Sequence, residues 1–146
     1  MKEPIFNWDA DSGIATCELW DADGNMHVGT AVCHADDADM MSEKTGLDIA
    51  RRRAEINAYK AYKYKLQNEL GALKQLYYSM KHSSKFNPKS YENIMLQRQI
   101  KLKEEDIATV KDMILGERIK LKIYIAEKDA LYKQLRKLRA KKNKAE

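Results

Sequence analysis

With 146 residues, 44% of them hydrophobic and 34% charged, the chain has the size of one domain, or of one small domain with an appendage. Its apolar and aromatic content excludes a disordered chain, and six Gly and two Pro exclude a collagen-like or linker-dominated one. The formal charge of +5 conceals a division: residues 1–50 hold two basic and eleven acidic side chains, net −9, whereas residues 51–146 hold 25 basic and 11 acidic, net +14. No apolar run approaches the ~20 residues that span a bilayer, so no membrane contact is expected. The opening residues MKEPIFNWDADSG lack the apolar core of a secretory signal, and two cysteines are too few for a disulfide framework. A cytoplasmic protein in a reducing host cytosol is the expectation.

In chain order, Ile5-Phe6-Asn7-Trp8 reads as a short edge strand. Residues 14–20 read as a second strand and 26–33 as a third, joined by Asp21-Ala22-Asp23-Gly24 with a glycine where a tight hairpin needs positive φ. Pairing about that turn puts Trp20 beside Met26 and Ile14 beside Val32 on one face. The other face carries Ala15, Cys17, Leu19, His27, Gly29 and Ala31, most of them small, and is expected to receive a helix. Two strands alone are marginal in water, so the hairpin needs that helix.

Asp36-Asp37-Ala38-Asp39 and Ser42-Glu43-Lys44-Thr45-Gly46 read as cap and turn residues. A first long helix is expected from about Leu47 to Met80, with an apolar stripe at Tyr59, Tyr62, Leu66, Leu70, Leu73, Tyr77 and Met80. Residues 82–88 break it, with Pro88 suited to the first turn of the next helix, from about Lys89 to Ala140. There Ile100, Ile107, Ile114, Leu121 and Leu135 recur every seven residues, interrupted by Lys128. Val110, Tyr124, Leu131 and Leu138 fall three later, where Lys103 and Glu117 are the exceptions. The short connection favours an antiparallel pair, with position 47 opposite roughly position 123. The stripe at Tyr124, Leu131, Leu135 and Leu138 then overhangs the first helix and is expected against the small-residue sheet face or a partner chain.

The fold expectation is α+β: an acidic β-hairpin unit (1–46) packed on a basic, antiparallel coiled-coil hairpin of two helices (47–140), followed by a basic tail (141–146). Cys33, His34, Asp36, Asp37 and Asp39 match no established zinc spacing, so the cysteines read as small core residues and the Asp run as helix-capping acids. No nucleophile with an orienting base and no phosphate-cradling glycine loop stands out, so no catalytic residue, metal or cofactor is expected. Two charged surfaces are the candidate sites. The acidic one is Asp21, Asp23, Asp36, Asp37, Asp39 and Glu43, fit for a basic groove on a protein that handles nucleic acid. The basic one is Arg51, Arg52, Arg53, Lys60, Lys63, Arg136, Lys137 and Arg139, fit for direct contact with DNA or RNA.

The segment Gly29-Thr30-Ala31-Val32-Cys33-His34-Ala35-Asp36-Asp37, followed by Ser42-Glu43-Lys44-Thr45-Gly46 and Ile49-Ala50-Arg51-Arg52-Arg53-Ala54, resembles a recurring segment in small proteins from phages and mobile elements of Gram-positive bacteria. Carried over by position, it singles out Gly29, His34, Asp36, Asp37, Ser42, Glu43 and Gly46, whose physical reading is architectural: strand end, turn, cap and helix start. The resemblance implies a phage-type accessory protein of the kind that inhibits host defence, anti-CRISPR proteins included. The resulting expectation is a non-enzymatic protein that binds a nucleic-acid-directed machine, such as a CRISPR effector nuclease, and inhibits it by occlusion. A nucleic-acid-binding accessory protein is the alternative, and a coiled-coil assembly protein, homodimeric through its seam, a further one.

Overall fold

The computed structural model describes residues 2–33, 42–83 and 85–145. His34, Asp36, Asp37 and Asp39 lie outside them. The elements are β1 (Ile5–Asp9), β2 (Ile14–Trp20), β3 (Met26–Val32), α1 (Glu43–Lys81) and α2 (Tyr91–Ala145). The fold is α+β: a three-stranded antiparallel sheet, ordered β1-β2-β3, packed against two long helices. The described chain forms two compact units, one of Met1–Ala58 with Gly116–Glu146 and one of Tyr59–Leu115.

In the first unit both sheet turns need a left-handed glycine. Gly13 (φ 70°) closes β1–β2 by donating its N–H to Asp9 O at 2.8 Å, and Gly24 (φ 83°) closes β2–β3 onto Asp21 O at 3.0 Å. The β2–β3 register pairs Ile14 with Val32 and Trp20 with Met26, as the alternation requires. Ala15, Cys17, Gly29 and Ala31 then share the inner face and are buried.

Small residues on the sheet meet small residues on α1. A Cβ at Gly29 would strike the Ala50 carbonyl oxygen and the Ala54 amide of α1, and one at Gly46 would meet the Trp8 ring at 3.1 Å and Ala15 Cβ at 3.2 Å. Gly46, Ala50 and Ala54, spaced by four, therefore form the ridge of α1 that lies on the sheet. Ile49 and Ile56 flank it and are buried. α1 begins at Glu43, four residues before the expected start at Leu47. Ser42 is its N-cap, taking the Thr45 N–H on Oγ at 3.4 Å, so Gly46 sits inside the helix, where its bare Cα admits Trp8.

In the second unit α1 and α2 run antiparallel: Lys103 Nζ meets Glu69 Oε2 at 2.6 Å and Gln97 Nε2 donates to Tyr77 Oη at 3.3 Å. Leu66, Leu96, Ile107, Val110 and Ile114 are its buried apolar residues. The expected stripe holds except at Tyr62, which is 49% exposed, while the neighbouring Lys63 is half-buried. Positions 62 and 63 both fit a helical stripe between 59 and 66. Lys63 takes the more covered of the two, as a long aliphatic stem allows. Pro88 lies in the turn before α2 rather than in its first turn. Ser90 is the N-cap, its Oγ accepting from Asn93 N at 3.3 Å, and buried Asn93 ties the turn down by donating Nδ2 to Asn87 O at 2.6 Å. α2 also runs on to Ala145, so residues 141–144 are helical rather than a tail.

Candidate binding surface

The sheet buries one face and leaves the other uncovered. Ile5, Ile14, Met26, Val28 and Val32 all point away from α1 and are exposed, Val32 by 66%, with half-buried Trp20 beside them. The outer face of a half-buried antiparallel sheet ordinarily alternates to polar residues. Here Ile5, Trp20, Met26 and Val28 gather at one end around Glu18, and Ile14 and Val32 lie at the other, beyond the polar row Asn7, Thr16 and Thr30. The charged members of the face are acidic at Asp9 and Glu18, and Lys2 holds its ammonium over the Trp20 ring at 4.0 Å.

The β3 edge of the sheet is capped at two points. Pairing leaves the carbonyls of Val28 and Thr30 pointing away from β2, and side chains of α1 take both. Asn57 Nδ2 donates to Val28 O and Arg53 Nη1 to Thr30 O, each at 2.7 Å. Two acceptors that would template another strand are thereby removed.

The acidic and basic candidate residues divide between structural work and open surface. Asp21 Oδ1 accepts the N–H groups of Asp23 and Asn25 at 2.9 Å each, and its Oδ2 meets His27 Nε2 at 2.8 Å. The His27 contact, then the amide bonds, hold the Asp21 carboxyl below its ordinary range. Asp23 sits in the same turn, and Glu43 lies in the first turn of α1. The arginine triplet is engaged inside the first unit: Arg51 Nε meets Glu55 Oε1 at 3.1 Å, Arg52 lies 5.3 Å from the Tyr124 ring centre, and Arg53 caps Thr30. Tyr124 Oη donates to Asp48 Oδ2 at 3.4 Å, close to the expected pairing of the two helices. Lys60 and Lys63 belong to the second unit, whereas Arg136, Lys137 and Arg139 lie on the exposed last turns of α2 in the first.

Those last turns overturn one expectation. The ridge of α1 lies along the small-residue face, and α2 reaches that side of the sheet through Tyr132 rather than through Leu131, Leu135 and Leu138. Tyr132 is 6% exposed and lines a space of about 30 Å³ with Trp8, Gly46, Ile49 and Lys128, room for a water at most. Leu131, the expected seam residue, is 53% exposed, as are Leu135 (39%) and Leu138 (62%). The seam shifts by one residue because the sheet, rather than a helix, forms the opposing surface there.

Cys17 is buried, and burial pushes its thiol up. Neither cysteine is in a disulfide, and no group of three or more His, Cys, Asp or Glu side chains among the described residues is placed to hold a metal. No described helix is long and apolar enough to cross a membrane. In the second unit an open groove of about 560 Å³ is lined by Leu73, Leu76 and Leu102 with Glu69, Lys103 and Asp106. The uncovered sheet face was the element that charge reasoning passed over. Its signal lay in the apolar residues Ile5, Ile14, Met26, Val28 and Val32, which fall on the opposite phase of the alternation from Ala15, Cys17, Gly29 and Ala31.

By fold and surface this is a small sheet-on-helical-hairpin protein with an apolar, acid-bearing open face. Comparison with protein-family models, with curated proteins and with solved structures finds no match to this chain.

Proposed function

We propose that this is a non-catalytic binding protein, acting in the host cytosol, that engages a basic, nucleic-acid-handling protein through the open face of its sheet and occludes the site where nucleic acid would bind. The observation that carries the reading is the contrast between the two candidate surfaces of the first unit. Each arginine of the Arg51–Arg53 triplet has a contact with Glu55, Tyr124 or Thr30, although Arg51 and Arg53 stay exposed, while Ile5, Ile14, Met26, Val28 and Val32 stand exposed with Glu18 and Asp9 among them. Apolar side chains interspersed with the carboxylates of Glu18 and Asp9 suit a basic protein surface better than they suit the phosphates of nucleic acid. The resemblance to phage and mobile-element proteins points to host-defence machines as such partners, a CRISPR effector nuclease being one example.

Direct nucleic-acid binding is the second reading, favoured by exposed Lys133, Lys137, Lys141, Lys142 and Lys144 on the last turns of α2. Affinity capture from a phage-infected Gram-positive lysate, with and without nuclease, separates the two. A partner that survives nuclease and is lost with a Val28→Glu variant supports the protein reading. A partner lost to nuclease but indifferent to Val28→Glu, with a salt-dependent gel shift on free DNA, replaces it with the second.

A further inference from the structure

The last turns of α2 combine a concentrated charge with an uncovered apolar line. Glu127 and Asp129 are the last acids before them, and residues 131–145 hold seven basic side chains and no acidic one, net +7. Leu131, Leu135 and Leu138 are all exposed. At about 100° per residue they fall within a sector of roughly 60°, with Lys141 and Arg139 about 70–90° to either side. Lys142 follows Leu138 by one turn on the leucine side. Tyr132, buried beside Trp8, Gly46 and Ile49, points about 90° round from that sector, so the docking of α2 on its own unit leaves the leucines uncovered.

From Lys133 to Lys144 every side chain is exposed, along about 18 Å of helix. So short a helix is marginal in water without tertiary packing, and Lys133, Lys137 and Lys141 repel one another at four-residue intervals. A negatively charged surface relieves the repulsion, and an apolar layer beneath it takes the leucines. An anionic lipid bilayer offers both, with headgroup charge at its surface and hydrocarbon just below. A nucleic-acid backbone offers the charge alone and leaves the leucines in water. No described helix is long and apolar enough to cross a bilayer, and the expectation of no membrane contact rested on that requirement. A helix that lies in the interface needs one apolar side only.

We infer that the last turns of α2 are a docking site for an anionic phospholipid surface, with the Leu131–Leu135–Leu138 side turned into the headgroup boundary. Lys141 and Arg139 flank that side and Lys142 ends it, where long side chains carry their charge out to lipid phosphates. The site lies on a different element from the open sheet face. It goes beyond the partner reading and stands or falls independently of it.

The test sediments the full chain with vesicles of phosphatidylcholine alone, or of phosphatidylcholine with about 30% phosphatidylglycerol, and measures the bound fraction. The wild type should bind the anionic vesicles and not the neutral ones, and should be released as salt rises from about 50 to about 500 mM. Leu135→Gln with Leu138→Gln keeps the charge and the helix propensity. This pair should weaken vesicle binding on the order of 10-fold and leave any gel shift on free DNA unchanged. Lys137→Gln, Lys141→Gln and Lys142→Gln together should weaken it on the order of 100-fold, because three surface charges are lost. Val28→Glu, on the open sheet face, should bind vesicles as the wild type does, which keeps this test apart from that of the partner reading. Far-UV circular dichroism checks that each variant keeps the wild-type helix content. No binding to anionic vesicles at about 50 mM salt, equal binding to neutral ones, indifference to the leucine pair, or loss with Val28→Glu each overturns the inference. A protein that shifts DNA and ignores the vesicles also overturns it and gives the helix end to nucleic acid.

Discussion

Gly29→Ala is the sharpest test of how the sheet meets α1. The new Cβ would fall on the Ala50 carbonyl oxygen and the Ala54 amide, and would stand 3.0 Å from Ala54 Cα. All three are backbone atoms in the middle of a helix, so no side chain can swing aside. Restoring ordinary contact, about 3.5 Å or more, requires α1 to retreat by roughly 1.5 Å from β3. That retreat would loosen Gly46 on Trp8 and Ala15 and open the packing around Cys17, all formed against the same ridge. Overpacking of this kind costs about 1–3 kcal/mol, and the absence of a yielding atom puts Gly29→Ala at about 3 kcal/mol. Gly71→Ala in α1 and Gly116→Ala in α2 are the controls. A Cβ there meets nothing within 4 Å, and removing a helical glycine should stabilise by about 0.5–1 kcal/mol each. Urea unfolding measures all three by the shift in midpoint at constant slope. A neutral or stabilising Gly29→Ala would refute the close approach of α1 to β3.

Tyr132→Ala should cost about 3–4 kcal/mol and Leu131→Ala well under half of that, since only the tyrosine is buried; the reverse order in urea unfolding would return Leu131 to the seam. Arg53→Ala and Asn57→Ala should each cost about 1 kcal/mol, and together they should uncap β3 and raise light scattering on mild heating; an unchanged scattering trace would count against the capped edge. The Asp21 carboxyl is held below its ordinary value of 3.8, so its contribution is complete above that value and is lost as pH falls through its folded pKa. The stability gap between wild type and Asp21→Asn should therefore shrink below about pH 4, and a gap constant down to about pH 2 would contradict the turn chemistry. In native protein Cys17, buried with a raised pKa, should resist a thiol reagent that modifies Cys33 readily. Two equally fast thiols would show that the sheet–α1 packing opens.

The sequence by itself determined the local conformations. Alternation and the Asp21–Gly24 turn set the β2–β3 register, because a one-residue slip would turn Ala15, Cys17 and Ala31 outward. The seven-residue recurrence located Ile107, Ile114 and Leu121 in the buried line, and the small residues of the inner face announced the close approach of a helix. Such features depend on neighbours a few residues away, and the sequence lists those neighbours. The tertiary structure decided what depends on which surfaces meet. Lys63 rather than Tyr62, and Tyr132 rather than Leu131, turn inward because both choices fit a helical stripe and only the opposing surface distinguishes them. Arg51, Arg52 and Arg53 look like a nucleic-acid patch in sequence. Folding brings the Tyr124 ring to Arg52 and the Thr30 carbonyl to Arg53, while Arg51 pairs along the helix with Glu55, so each has a contact inside the first unit. The open face was decided in the same way: α1 covers the small-residue side of the sheet, and the side left over keeps Ile5, Ile14, Met26, Val28 and Val32 exposed.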